Sequence, residues 1–393
     1  MTTSAEQIRS FNGPALFSYG FRPFFLFGAL WAAMAVALWL PVLSGHIDLP
    51  SALAPIEWHT HELIYGYVPA IVAGFLLTAV PNWTGRLPVV GTRLAVLFLT
   101  WVAGRIAVLS SLYLGVWLSA AIDMAFLAAL GYVITREIIA GENTRNLKVL
   151  AGVALLLVGN GLFHLEANTG IGAGHGTRLG IGATVFLIML IGGRIIPSFT
   201  RNWLARRTPG RLPAPFDRFD GVVMAGSGVA IGAWILVPES VTTATLSLLA
   251  AALNVARLAR WAGERTMPER LVLILHVAYA FVPAGFVLLA LGILWPDLVA
   301  RTGAVHGWTT GAIGIMTLAV MTRASLGHTG RPLTATGQIQ LIYLAALIAA
   351  MTRIIAAFGI LRDAMLILSA AAWVAAFGGF AVVYAPLLLR RRA

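Results

Sequence analysis

The chain has 393 residues, of which 59% are hydrophobic and only 11% charged, less than half of the roughly 25% charged residues in a soluble domain. With a mean hydropathy of +0.87, most of its surface must face lipid, and no polar stretch is long enough to be a separate soluble domain. The net charge of +12 does not point to nucleic acid, because the basic residues sit in short segments between apolar runs, and the absence of cysteine excludes disulfides, thiolate ligands, iron–sulfur clusters and covalent haem attachment.

The first segment, Met1 to Asn12, is polar and lacks the apolar core of a cleaved signal peptide. Beyond it, a spanning helix needs roughly 20 mostly apolar residues to cross the hydrocarbon core. Runs of that kind predict spans at about 24–43, 58–80, 94–111, 115–135, 147–168, 177–197, 221–237, 241–261, 271–295, 304–322, 338–358 and 364–388. The expected fold is all-α, a single polytopic transmembrane domain over residues 1–393 with about twelve helices. The seventh span is short, and the third and fourth form a tight hairpin about position 114.

Basic residues orient the bundle. With the N-terminus in the cytoplasm, 21 of the 27 basic residues fall on cytoplasmic segments, from Arg9 and Arg22 to Arg390, Arg391 and Arg392. The remaining six are Arg178, Arg301, Arg353 and Arg362 on the outer side and Arg105 and Arg194 inside spans. The positive-inside rule then places both termini in the cytoplasm.

That topology gives each histidine a depth. His59 and His61 open the second span at its outer end, His164 lies near the outer end of the fifth, and His306 opens the tenth. His46 and His175 also lie outside and read as solvated loop residues, whereas His276 and His328 lie towards the cytoplasm. Ionisable groups in spans are costly and usually face the bundle interior with a partner or a role. A spacing joins three of them: His61-x4-Gly66, His175-x4-Gly180 and His306-x4-Gly311 each begin a descending helix, four helices apart. Haem–copper oxidases have a similar layout of twelve helices in three arcs of four, with haem-binding histidines at the outer ends of the second and tenth.

The densest motif is Trp58-His-Thr-His-Glu62. Two residues apart on a regular helix point about 200° apart, so His59 and His61 serve one metal only if the helix start is unwound, and otherwise serve different centres. Glu62 and Tyr65 are the candidate proton donors. Asn160, four residues before His164, is placed to hold that imidazole by a hydrogen bond. Gly307, Gly311 and Gly314 line one side of the tenth helix, where small residues let a neighbouring helix or a flat macrocycle approach. On the inner side, Arg194 and Arg323 are candidate partners of haem propionates, and His276, one turn from Tyr279, is a candidate to share a second site with His328. Arg105 and Asp123 lie nine residues either side of position 114, level on antiparallel neighbours, and read as a buried structural pair.

Long motifs carry a resemblance. Trp58-His-Thr-His-Glu62, Gly74 to Arg86, Gly159 to Leu165, Gly192 to Asn202, Leu275 to Tyr279 and Gly311 to Arg331 make the chain similar to the NnrS family of bacterial inner-membrane proteins. The resemblance covers about Phe17 to the last helix. It implies non-covalent b-type haem and copper in a protein of nitric-oxide metabolism or defence, with His59, His61, His164, His276, His306 and His328 as the matching ligands. The leading expectation is a haem–metal protein that binds nitric oxide or, as an oxidoreductase, reduces it near the outer face, with membrane lipid around it and an electron donor as partner. The alternatives are a transporter for copper or a small solute and a haem sensor without turnover.

Overall fold

A computed structural model describes residues 11–391 except 143 and 208; Arg9, Arg392 and the polar residues 1–10 lie outside the described residues. All regular structure among the described residues is helical. Twelve helices of the described residues are long and apolar enough to span: α1 Phe21–Leu43, α2 Pro55–Thr84, α3 Thr92–Leu109, α4 Val116–Ala140, α5 Leu147–Thr169, α6 His175–Leu204, α7 Arg218–Leu236, α8 Val241–Ala259, α9 Arg270–Leu294, α10 Arg301–His328, α11 Gly337–Ala357 and α12 Arg362–Leu389. Each predicted span overlaps one of them, including the short seventh, and the chain is a multi-pass membrane protein.

The reason is the backbone. In hydrocarbon every N–H and C=O must be satisfied within the chain, and a helix does this by itself. Side chains then decide which face meets lipid. On α11, Leu341, Leu344, Ile348 and Met351 are exposed while Ile342, Ala346, Ala349 and Ala350 are buried. Both faces are apolar, so polarity does not tell the lipid face from the packed one. In α2, α6, α9 and α10 more than half of an apolar 18-residue stretch is buried, and in the other eight less than half of such a stretch.

Helix ends are marked by familiar devices. The Asp217 carboxylate accepts the N–H groups of Phe219 and Asp220 at the start of α7, and the Ser240 hydroxyl accepts that of Thr243 at the start of α8, supplying acceptors that the first turn lacks. Glu166 takes the N–H groups of His175 and Gly176 at 2.9 and 3.0 Å at the start of α6. At the end of α12, Arg22 donates to the carbonyls of Leu387, Leu388 and Arg390. The α3–α4 hairpin turns through Ser111–Leu114 and Gly115, whose φ of +82° is a conformation that glycine adopts without a steric penalty.

Two stretches widen to π-helix: Glu62–Tyr67 within α2 and Gly307–Ile315 within α10. Both follow a histidine of the His-x4-Gly repeat. The third copy, at the start of α6, is ordinary α-helix. A π turn leaves its carbonyls poorly matched, and in α2 the Trp101 indole N–H donates to the Gly66 carbonyl at 2.8 Å. Such turns concentrate at functional sites.

The chain divides into two compact units. The first runs to Gly180 and regains the chain from Phe377; the second is Ile181–Ala376. The first packs an aromatic cluster in which the Phe98 ring lies 5.1 to 6.1 Å from those of Phe17, Phe24, Phe27 and Trp101. The second packs Trp308 against Trp234 and Phe286.

Candidate metal centre

Within the first unit, α2, α3, α4 and α5 bring six polar side chains together in an otherwise apolar interior. His61, Glu62, Arg105, Asp123, Asn160 and His164 are all buried, and His61, Glu62 and Asn160 are wholly inaccessible. The π turn begins at Glu62, directly after His61. His59 does not join the group: it stacks on Trp39 with ring centroids 4.2 Å apart. Of the two arrangements open for the pair of histidines, the residues point in different directions.

Asp123 is the hub. Its Oδ2 lies 3.1 Å from His61 Nε2 and 3.1 Å from His164 Nε2, and it accepts the Asn160 amide N–H at 2.7 Å. Its Oδ1 accepts from Arg105, whose other terminal nitrogen donates to Glu62 Oε2 at 2.5 Å. Glu62 Oε2 also accepts the Trp31 indole N–H at 2.7 Å, and Glu62 Oε1 lies 3.0 Å from His61 Nδ1. The expected Arg105–Asp123 pair therefore forms, but as part of a site rather than only as a structural clasp. Asn160 holds Asp123 and lies 3.1 Å from His61 Nε2; it bonds these two rather than His164.

One guanidinium serves two buried carboxylates here. Gly66 makes room for it, since a Cβ at that position would stand 2.3 Å from Arg105 Nη1 and 2.7 Å from Glu62 Oε2. That is the use of the glycine in His61-x4-Gly66. In the copy within α10 a Cβ on Gly311 would stand 2.3 Å from the Phe281 ring, and in the copy at the start of α6 a Cβ on Gly180 would stand 2.5 Å from the Tyr65 hydroxyl. The spacing thus marks close packing in all three copies and polar convergence only in the first.

Both ring nitrogens of His61 face carboxylate oxygens. A neutral imidazole has one N–H, so with Nδ1–H given to Glu62 the Nε2 lone pair meets oxygen. That contact is repulsive unless a proton or a metal cation stands between them. His61, Asp123 and His164 each present one ligand atom, all within 4.8 Å of one another. Ligands about 2.1 Å from a first-row metal lie about 3.0 Å apart at a right angle and about 3.4 Å apart in a tetrahedron. The two 3.1 Å separations about Asp123 Oδ2 match such edges. Two imidazoles and a carboxylate suit a small transition-metal cation, and Glu62 on Nδ1 is the carboxylate that usually fixes a ligand histidine.

A porphyrin fits less well. Neither nitrogen of His61 is turned to an open face. Along α10, a Cβ on Gly307, Gly311 or Gly314 would meet Leu288, Phe281 or Trp373 within 2.7 Å, so side chains fill the space a macrocycle would take there.

The other predicted residues are dispersed. Tyr65 donates its hydroxyl to the Gly176 carbonyl at 2.6 Å. His306 Nδ1 lies 2.9 Å from the Thr302 carbonyl. His276 is buried, with Nε2 2.8 Å from the Thr200 hydroxyl, while His328 ends α10 with an exposed side chain. Arg323 lies over the Phe199 ring, 4.2 Å from its centroid, and Arg194 is exposed. His175 stays half-buried beside Glu166, and His46 is exposed beside Ser44.

The second unit holds a polar network that sequence reasoning missed. Arg257, counted there as a basic residue of the cytoplasmic side, is buried in α8 and donates to Asp220 at 2.7 Å, to the Met189 carbonyl and to the Tyr279 hydroxyl. Tyr279 donates to Asn254, which donates to Ser227.

The family model described as NnrS protein matches residues 15–392, nearly the whole chain. The chain belongs to the NnrS family. No curated protein and no solved structure matches it. Trp58 to Glu62 and Gly159 to Leu165, two of the motifs that carry the NnrS likeness, supply His61, Glu62, Asn160 and His164 to the centre. Asp123 and Arg105 lie outside those motifs. An acid and a base inside apolar spans, equidistant from a hairpin tip, were the sequence signal that reached them.

Proposed function

We propose that this NnrS-family protein is a metal-dependent protein of nitric-oxide metabolism or defence, its cation held by His61, Asp123 and His164. The observation that carries this reading is the convergence of two imidazoles on one carboxylate oxygen, 3.1 Å from each, with the whole group buried. Family membership supports the link to nitric oxide, and the neutral gas reaches a membrane-embedded site without a polar channel. Copper, which the NnrS resemblance implies, is compatible with imidazole ligands. The resemblance also implies haem, but the residues about His61 and along the α10 glycines do not fit a macrocycle, and no ligand is assigned to one. When bound, the cation supplies a Lewis-acidic or redox-active centre.

The chain's own residues do the rest. Glu62 holds His61 with Nε2 towards Asp123, Arg105 offsets the two carboxylates, and the apolar walls exclude bulk water. By the distribution of basic residues, the centre lies towards the outer side of the bacterial inner membrane with both termini in the cytoplasm. Metal analysis and EPR of purified protein test the reading. Metal is expected in the wild type and in His59→Ala and His306→Ala, and is expected to be lost in His164→Ala and Asp123→Asn. Wild-type protein without bound metal after reconstitution, or full retention in both His164→Ala and Asp123→Asn, would refute it.

A further inference from the structure

A crevice in the first unit reaches the edge of the centre. Ala52, Leu53, Val108 and Val116 form its apolar walls, Ser111 and Ser119 add hydroxyls, and His164 and Asn168 complete it. The free space is about 10 Å³, close to the least that admits one water molecule. Ala52 is exposed and Val116 and Asn168 are partly exposed, so these residues mark the mouth, while His164 is buried at the inner end. His61 and Glu62, deeper in the cluster, do not line it.

Asn168 sits one helical turn beyond His164, on the same face of α5. Its amide nitrogen is buried and has no hydrogen-bond partner. A buried donor left unpaired loses its water without gaining a partner, so its position calls for an acceptor that the chain itself does not supply. Three protein ligands, rather than four, are also what distinguishes metal sites that bind exogenous ligands from closed structural ones.

We propose that the cation keeps a coordination position open on its His164 side, and that a small exogenous ligand reaches it through this crevice, guided by a hydrogen bond from the Asn168 amide. The inference rests on the metal centre proposed above. The crevice acts as a filter by width: water, hydroxide, a diatomic gas or a slender linear anion such as azide passes, and bulkier ligands do not. Its mouth opens on the side of the α3–α4 turn, which the basic residues place outside.

The test uses the full chain in proteoliposomes, loaded with cobalt(II) as a spectroscopic probe and titrated with azide. Because the chain has no cysteine, Asn168→Cys and, as a second position, Ala52→Cys each provide a single thiol at the mouth. Azide is expected to shift the cobalt bands of the wild type and of unmodified Ala52→Cys at the same concentration, and those of unmodified Asn168→Cys only at higher concentration, because the guiding amide is gone. After an impermeant charged thiol reagent is added from outside, the cobalt content is expected to persist while the azide shift is lost. Bound cobalt with no azide response in the wild type overturns the open position. An azide response that survives complete labelling at both positions overturns the crevice as its route. Absence of bound cobalt in the wild type instead removes the metal centre on which the inference rests.

Discussion

Replacing Arg105 by methionine tests the electrostatics of the centre. The guanidinium bridges Glu62 and Asp123, 2.5 Å from the former, and all three residues are buried. Methionine has nearly the right length and no charge, so it leaves two carboxylates in a dry interior with no guanidinium beside them. Removing one partner of a buried ion pair costs about 3–5 kcal/mol, because the abandoned charge is not resolvated. With two carboxylates abandoned, the upper end of that range is expected. At 1.4 kcal/mol per tenfold, a loss of about 4–5 kcal/mol lowers the folding equilibrium constant by roughly a thousandfold. Reversible unfolding in mixed micelles measures it directly. The double variant Arg105→Met/Glu62→Gln removes one stranded charge and is expected to recover a substantial part of the loss, a coupling that a double-mutant cycle isolates. A single variant that loses less than about 1 kcal/mol, or a double variant no more stable than the single, would show that the guanidinium is not what offsets these carboxylates.

Gly66→Ala, whose Cβ would stand 2.3 Å from Arg105 Nη1, is expected to cost about 1–3 kcal/mol as an overpacked site does and to release metal. Gly85→Ala has open space but a φ of +69°, so it is expected to cost about 1 kcal/mol and leave metal content unchanged; parallel unfolding and metal assays separate the two. Outside the spans, a hydrogen bond from Arg260 and the N–H groups of Asp220 and Phe219 lower the Asp217 carboxyl from 3.8 to about 2. Its folded value is depressed, so its stabilising effect is complete above the unfolded value and fades as pH falls from about 4 towards 2; Asp217→Asn is expected to flatten that part of the pH–stability curve. Topology is checked with single cysteines in the cysteine-free chain: Tyr113→Cys at the α3–α4 turn is expected to react with impermeant reagent from outside, and Arg207→Cys only after the membrane is opened. The reverse pattern would invert the orientation.

Much of this protein follows from local chemistry. Twelve apolar runs become twelve helices because, in lipid, each run satisfies its own backbone, and no distant residue is needed to decide it. The Arg105–Asp123 contact was legible for a similar reason, since a tight hairpin fixes the level of residues equidistant from its tip. His61 and His164 were also legible as histidines at one depth in a shared outer site with His59 and His306, but not as a pair that meets at Asp123 without the other two. Their meeting depends on how α2, α4 and α5 are rotated about their axes, which sequences apolar on every face do not encode. The π turn after His61, opened over Gly66 and closed by Trp101, moves Glu62 and His61 into register with Asp123. Only tertiary packing decides that register, because it rests on which neighbour fills the space each glycine leaves. Packing likewise buried Arg257, which charge counting alone had placed with the loops, and parted His59 from His61. The sequence by itself determined a twelve-helix membrane protein with histidines near helix ends; the packing of α2 to α5 determined that two of those histidines and an aspartate converge on one point.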